Sequence, residues 1–242
     1  DQFRYLTLSV NNAIEALESK SNFSESLIAD IKMLEKFLDL QGAHEKRAQL
    51  LRGVIRSTSY KHNRTMFSIF FHLNLISSLL ALGYTGAAVR ECEHIETEAM
   101  TMDFKPVEQV WLALRKCECH IAVSNLSQAS NSFKKICDLI QADDLLKLPV
   151  LAGRPASEDR LHFQNRATLF AEICLALAKL HMEEGNVEYG INHAQKAIKF
   201  LQAFLKKSQS MAPHASNISL NYTWRMTSLL ITCQTLTSMG FE

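Results

Sequence analysis

The sequence predicts an all-α chain built as a helical repeat, an α-solenoid of about ten antiparallel helices with one inserted loop. Three observations lead there. Glycine (8) and proline (4) are scarce among 242 residues, so few breakers interrupt the chain. Apolar residues recur at steps of three and four rather than two, which is the helical period. Three segments repeat one pattern in which a small residue ends a helix and another small residue follows five positions later.

The elements follow in order. The periodicity predicts helices over 3–19, 23–40, 43–57, 62–82, 86–102, 106–123, 127–140, 159–184, 187–207 and 218–238. Leu27, Ile31, Leu34 and Leu38 make the stripe of the second. The span 65–82 is the most apolar, but it contains His72, Asn74, Ser77 and Ser78. A membrane span needs about 20 residues with few polar ones, so this is read as a buried helix. Pro106 fits the first position of a helix, whose face carries Val107, Trp111, Leu114 and Ile121. The helix over 159–184 has two stripes, Phe163, Ala167, Phe170, Cys174 and Leu177, and Leu169, Ile173, Ala176 and Leu180. Two stripes require neighbours on both sides. Val187, Ile191, Ala194, Ile198, Leu201 and Leu205 form the longest series, and Tyr222, Met226, Leu229, Cys233 and Leu236 the last. Pro149, Gly153 and Pro155 break 141–158, which is expected to be an extended or mobile insertion. The helical pattern resumes after it, so 1–242 is read as a single domain. The chain starts at Asp1 and ends at Glu242, and it is read as a fragment of a larger chain.

The repeated segments are Leu82-Gly83-Tyr84-Thr85-Gly86-Ala87-Ala88, Val123-Ser124-Asn125-Leu126-Ser127-Gln128-Ala129 and Glu184-Gly185-Asn186-Val187-Glu188-Tyr189-Gly190. Residues 83, 124 and 185 suit tight turns. Residues 88, 129 and 190 would let two antiparallel helices approach closely. The turns lie 41 and 61 residues apart, so the period is about 41 with one insertion of about 20. The stretch from Gly185 through Ala194 and Ala197 resembles the second half of a tetratricopeptide repeat, with Gly185, Ala194 and Ala197 at its small positions. The array is therefore TPR-like, with a longer period, and such arrays offer extended surfaces to other chains.

Charge and motifs narrow the function classes. Lys plus Arg number 26 and Asp plus Glu 25, a balance that gives no general case for nucleic acid or anionic membrane as a partner. The six cysteines lie mostly within helical stripes and are read as reduced core residues of an intracellular protein. The Asn-x-Ser/Thr sites at Asn22, Asn63, Asn125, Asn217 and Asn221 fall mostly near helix starts and are read as caps. No phosphate-binding loop, Gly-x-Ser-x-Gly or His-Glu-x-x-His occurs. Cys117-Glu118-Cys119-His120 sits mid-helix, where adjacent side chains diverge by about 100°, so they cannot converge on one ion. No catalytic, cofactor or metal residue is assigned, and a stand-alone helical enzyme is disfavoured. The one charge feature is the basic run Lys46, Arg47, Arg52, Arg56, Lys61 and Arg64, with Arg52 and Arg56 on one helix face. Arg47, Arg52, Arg56 and Arg64 are the candidate site for an acidic or phosphorylated segment of a partner.

Four segments resemble, in order and spacing, the non-catalytic helical region of fungal separase. They are Ser26-Leu-Ile-Ala-Asp-Ile-Lys-Met-Leu-Glu-Lys-Phe-Leu, the stretch over 75–95, Val107-Glu-Gln-Val-Trp-Leu followed by Asn125-Leu-Ser-Gln-Ala, and Gly185-Asn-Val through Lys206-Lys207. The likeness runs collinearly from about residue 26 to 236. It implies a scaffold without catalytic residues inside a large caspase-like cysteine endopeptidase, which cleaves the kleisin subunit of cohesin at anaphase. The partners it implies are securin and the C-terminal protease part of the same chain, in nucleus and cytoplasm. That family's His-Gly pair is absent here, so no catalytic residue carries over. The alternative is a TPR-like scaffold subunit of another assembly, of the cohesin-loader or anaphase-promoting-complex type.

Overall fold

The computed structural model describes residues 8, 11–15, 25–57, 67–99, 106–142, 157–211 and 238. The described residues are helical apart from short turns, and no strand occurs among them. The helices are α1 (Glu25–Leu40), α2 (His44–Arg56), α3 (Phe67–Ala81), α4 (Thr85–Ala99), α5 (Pro106–Ala122), α6 (Leu126–Ala142), α7 (Ser157–Glu183) and α8 (Val187–Met211). Residues 11–15 are helical as well. The expected helix over 218–238, most of that over 3–19 and the centre of the 141–158 insertion lie outside the described residues. The protein is an all-α helical repeat whose helices pack in adjacent pairs.

The chain divides into two compact units, residues 1–104 and 105–242, at a point where the sequence reading places no boundary. In the first, α1 packs on α2, α2 on α3 and α3 on α4. Helix α3 is covered on nearly every side, with every residue from Phe71 to Ile76 buried, as an all-round apolar helix requires. Two of its polar side chains are partnered: Ser78 Oγ donates to the Asn74 backbone carbonyl at 3.0 Å, and His72 Nδ1 meets the Glu91 carboxylate of α4. Among the described residues no helix is long and apolar enough to cross a membrane.

In the second unit α5 pairs with α6 and α7 with α8, and α7 also packs on α5 and α6. Its two predicted stripes divide only in part, since Leu177 of the first packs with Leu180 of the second against Cys117 of α5 and Ala129 of α6. Leu169, Ile173 and Ala176 join Val110, Ala113 and Leu114 of α5 and Ile136 of α6. Cys174 and Leu175 face Ala197 of α8. Arg115 is buried in this unit between Glu118 at 2.5 Å and Glu172 of α7 at 2.7 Å, over the Trp111 ring. Burial alone would lower its proton affinity, but Glu118 and Glu172 more than offset that and raise it.

One device joins the members of every pair. Gly42, Gly83, Ser124 and Gly185 have left-handed backbones, with φ of 63°, 75°, 56° and 78°. Each N–H bonds the carbonyl three residues back, and the following N–H bonds the carbonyl five residues back, as in Gly83 to Leu80 and Tyr84 to Leu79. This closes the open carbonyls of the finished helix. The sequence reading found the turns at 83, 124 and 185. The structure adds Gly42, which lies 41 residues before Gly83, just as Gly83 lies 41 before Ser124. Asn125 also caps α6, its Oδ1 accepting the Gln128 N–H at 3.4 Å.

Five residues after each turn stands a position buried in every pair. It holds Arg47, Ala88, Ala129 and Gly190, all buried. Seven before each turn stand Glu35, Ile76, Cys117 and Ala178, also buried. A Cβ on Gly190 would lie 3.0 Å from the Ala178 carbonyl and 2.8 Å from Met182 Cγ. Elsewhere in a helix Gly→Ala gains up to about 1 kcal/mol. Here overpacking, typically about 1–3 kcal/mol, outweighs that gain. Gly190→Ala is therefore expected to lower stability in urea titration, and Gly190→Val to lower it further.

Candidate functional site

The sequence-predicted basic site separates into three parts. Arg64 lies outside the described residues. Arg47 is only 3% exposed and turned inward. Its Nε donates to Glu35 Oε1 at 2.6 Å and its Nη1 to Asp39 Oδ1 at 2.6 Å. Arg47 thus occupies the buried position five residues after the turn, where the other pairs have Ala or Gly, and its guanidinium is held by two carboxylates of α1. It ties helices together and is not part of a basic surface. Arg52 and Arg56 are exposed on α2.

Arg52 and Arg56 line a groove of about 260 Å³ together with Arg90 of α4. Leu75 and Leu79 of α3, both buried, form its floor, and Ile55 and Ala87 its sides. Glu91 is the one acidic residue in the lining, and it meets His72. Among the described residues none of the three guanidiniums enters an ion pair. The arrangement offers unneutralised, fork-shaped donors around an apolar floor, which suits a small anionic group on an apolar stem.

Sequence reasoning missed Arg90 because it stands alone among Val89, Glu91 and Glu93. The signal was in the repeat: α2 and α4 both pack on α3, so basic residues on the two of them can flank it. The positions of Arg52, Arg56 and Arg90 are exposed in every repeat and carry unrelated residues elsewhere. Arg52 corresponds to Glu93, Lys134 and Gln195, Arg56 to Thr97, Asp138 and Lys199, and Arg90 to Gln49, Asn131 and Asn192. The repeat packing does not require arginine at any of them.

The remaining reactive side chains are placed for structure. Cys92, Cys117, Cys119 and Cys174 are buried and Cys137 half-buried, while Cys233 lies outside the described residues. Burial first, then the neighbouring Glu118 and Cys119, push the Cys117 thiol up to about 12, so it is not a thiolate near neutral pH. Cys117 packs with Ala129 and Leu180, and among the described residues no group of three His, Cys, Asp or Glu could hold a metal ion. His181 and His193 stack at 5.5 Å across α7 and α8, and His181 Nδ1 lies 3.2 Å from Glu184. Burial, then Lys196 and His181, lower the His193 pKa below its ordinary 6.5.

No family model matches the chain, no curated protein does, and no solved structure does.

Two outcomes test this geometry. Removing one member of a buried ion pair costs about 3–5 kcal/mol, whereas an apolar pair of similar volume is often neutral. Arg47→Ala is expected to unfold the first unit at far lower urea, and Arg47→Leu combined with Glu35→Leu to restore most of the loss. For His193, the folded chain disfavours the charged ring. The stability contributed by the neutral ring is therefore present above pH 6.5 and is lost as pH falls from there through the lowered folded value. Urea titrations at pH 7.5 and 5.5 should show a smaller acid-induced loss in His193→Gln than in the parent chain.

Proposed function

We propose that this chain is the non-catalytic helical-repeat scaffold of a separase. In this reading it packs on the C-terminal protease part of the same chain and gives a securin-like inhibitor a surface to lie along. The parent enzyme, acting in nucleus and cytoplasm, cuts the cohesin kleisin at anaphase. The observation that carries the reading is the collinear order of the separase-like segments on a chain folded as repeated helix pairs. Such pairs expose long rows of side chains that suit an extended partner. The even 41-residue spacing of the first three turns favours a second reading, a TPR-like scaffold subunit of another assembly, since the spacing itself makes no reference to a protease.

Affinity purification of the parent protein from dividing cells, with an antibody to 141–158 and mass spectrometry, separates the two. The expected result is a very large chain with peptides from a caspase-like C-terminal part and a small acidic inhibitor alongside. A mid-sized parent in a stable multi-subunit complex would remove the protease reading and keep the scaffold.

A further inference from the structure

We propose that the groove between Arg52, Arg56 and Arg90 is a docking site for a phosphorylated threonine or serine in an extended segment of a partner protein. The inference rests on the scaffold reading and names the chemistry that one part of the scaffold recognises.

Charge and size together select this ligand. The lining carries three guanidiniums and one carboxylate, a formal excess of two positive charges. The groove, about 260 Å³ in volume, has room for a phosphorylated side chain. An extended peptide points successive side chains to opposite faces, so a single residue enters. An aspartate or glutamate there supplies one negative charge. A phosphomonoester supplies about 1.5 to 2, with three acceptor oxygens for the arginine forks. Apolar side chains in the lining, Ile55 and Ala87 among them, border the stem of either phosphoserine or phosphothreonine.

Placement supports the assignment. Arg52 and Arg56 come from α2 and Arg90 from α4, and both helices pack on α3. The equivalent positions carry Asn131, Lys134 and Asp138 in one later repeat and Asn192, Gln195 and Lys199 in the other. The cluster is therefore peculiar to the first unit. All three side chains are exposed, so replacing them leaves the helix packing intact.

The test immobilises the whole 242-residue chain and passes over it degenerate peptide pools fixed at the centre with phosphothreonine, threonine or aspartate. Retention of the phosphothreonine pool is expected to exceed the other two by about tenfold, consistent with doubly charged rather than singly charged bonding. Arg90→Gln and Arg56→Gln should each reduce it toward the threonine level, while Lys134→Gln leaves it unchanged. Equal retention of the aspartate and phosphothreonine pools would replace the phosphate site by a general acidic dock. Retention indifferent to Arg90, or no retention at all, would overturn the site outright. Neither result touches the scaffold reading, which stands or falls on the identity of the purified parent.

Discussion

The second helix of each pair in this chain must reverse and lie close against the first. That requires a left-handed residue at the turn and, five residues later, a side chain that the preceding helix can accept. Gly42, Gly83, Ser124 and Gly185 meet the first condition. The second is met in different ways twelve residues apart in sequence. Gly190 lies against the Ala178 carbonyl, Ala129 against Cys117, and Arg47 against Glu35; Ala88 and Ile76 are both fully buried. Small side chains let backbones approach, and close approach in turn brings the flanking stripes into register.

The Arg47–Glu35 solution differs in kind. An ion pair that is almost wholly excluded from water gains Coulomb energy only by losing hydration, and the net result is small. What it contributes is directional. The guanidinium reaches Glu35 and Asp39, one turn apart on α1, and slipping the helices by a turn would leave charges buried without partners. Arg115 with Glu118 and Glu172 does the same for α5 and α7 in the second unit. Both units therefore combine an apolar contact that tolerates sliding with a buried polar contact that does not.

The outer positions are released from that constraint. Since repeat packing asks nothing of residues facing solvent, they vary from repeat to repeat, and a cluster of one charge at such positions is not dictated by the fold. Arg52, Arg56 and Arg90 form such a cluster. The cysteines illustrate the opposite case. Cys117 serves as a small apolar residue between helices, and its raised pKa is a consequence of that burial.

How much was legible follows from how local each signal is. The helices and their order could be read because a 3.6-residue stripe is written in consecutive residues; α2 and α5 begin and end within one residue of the spans expected. Three turns were legible because the small residues glycine, serine and alanine mark them. The fourth, at Gly42, was hidden because the residue five places on is Arg47, which looks like a surface cation until Glu35 and Asp39 are brought beside it. Likewise Arg52 and Arg56 could be found on one helix face, but Arg90 joins them only through the packing of α2 and α4 on α3. The sequence by itself determined that this chain is a helical repeat, because helix periodicity and turn residues are short-range properties. Only the tertiary structure decided which arginine is a structural strut and which three form a groove, because charge takes its meaning from neighbours that are distant in the chain.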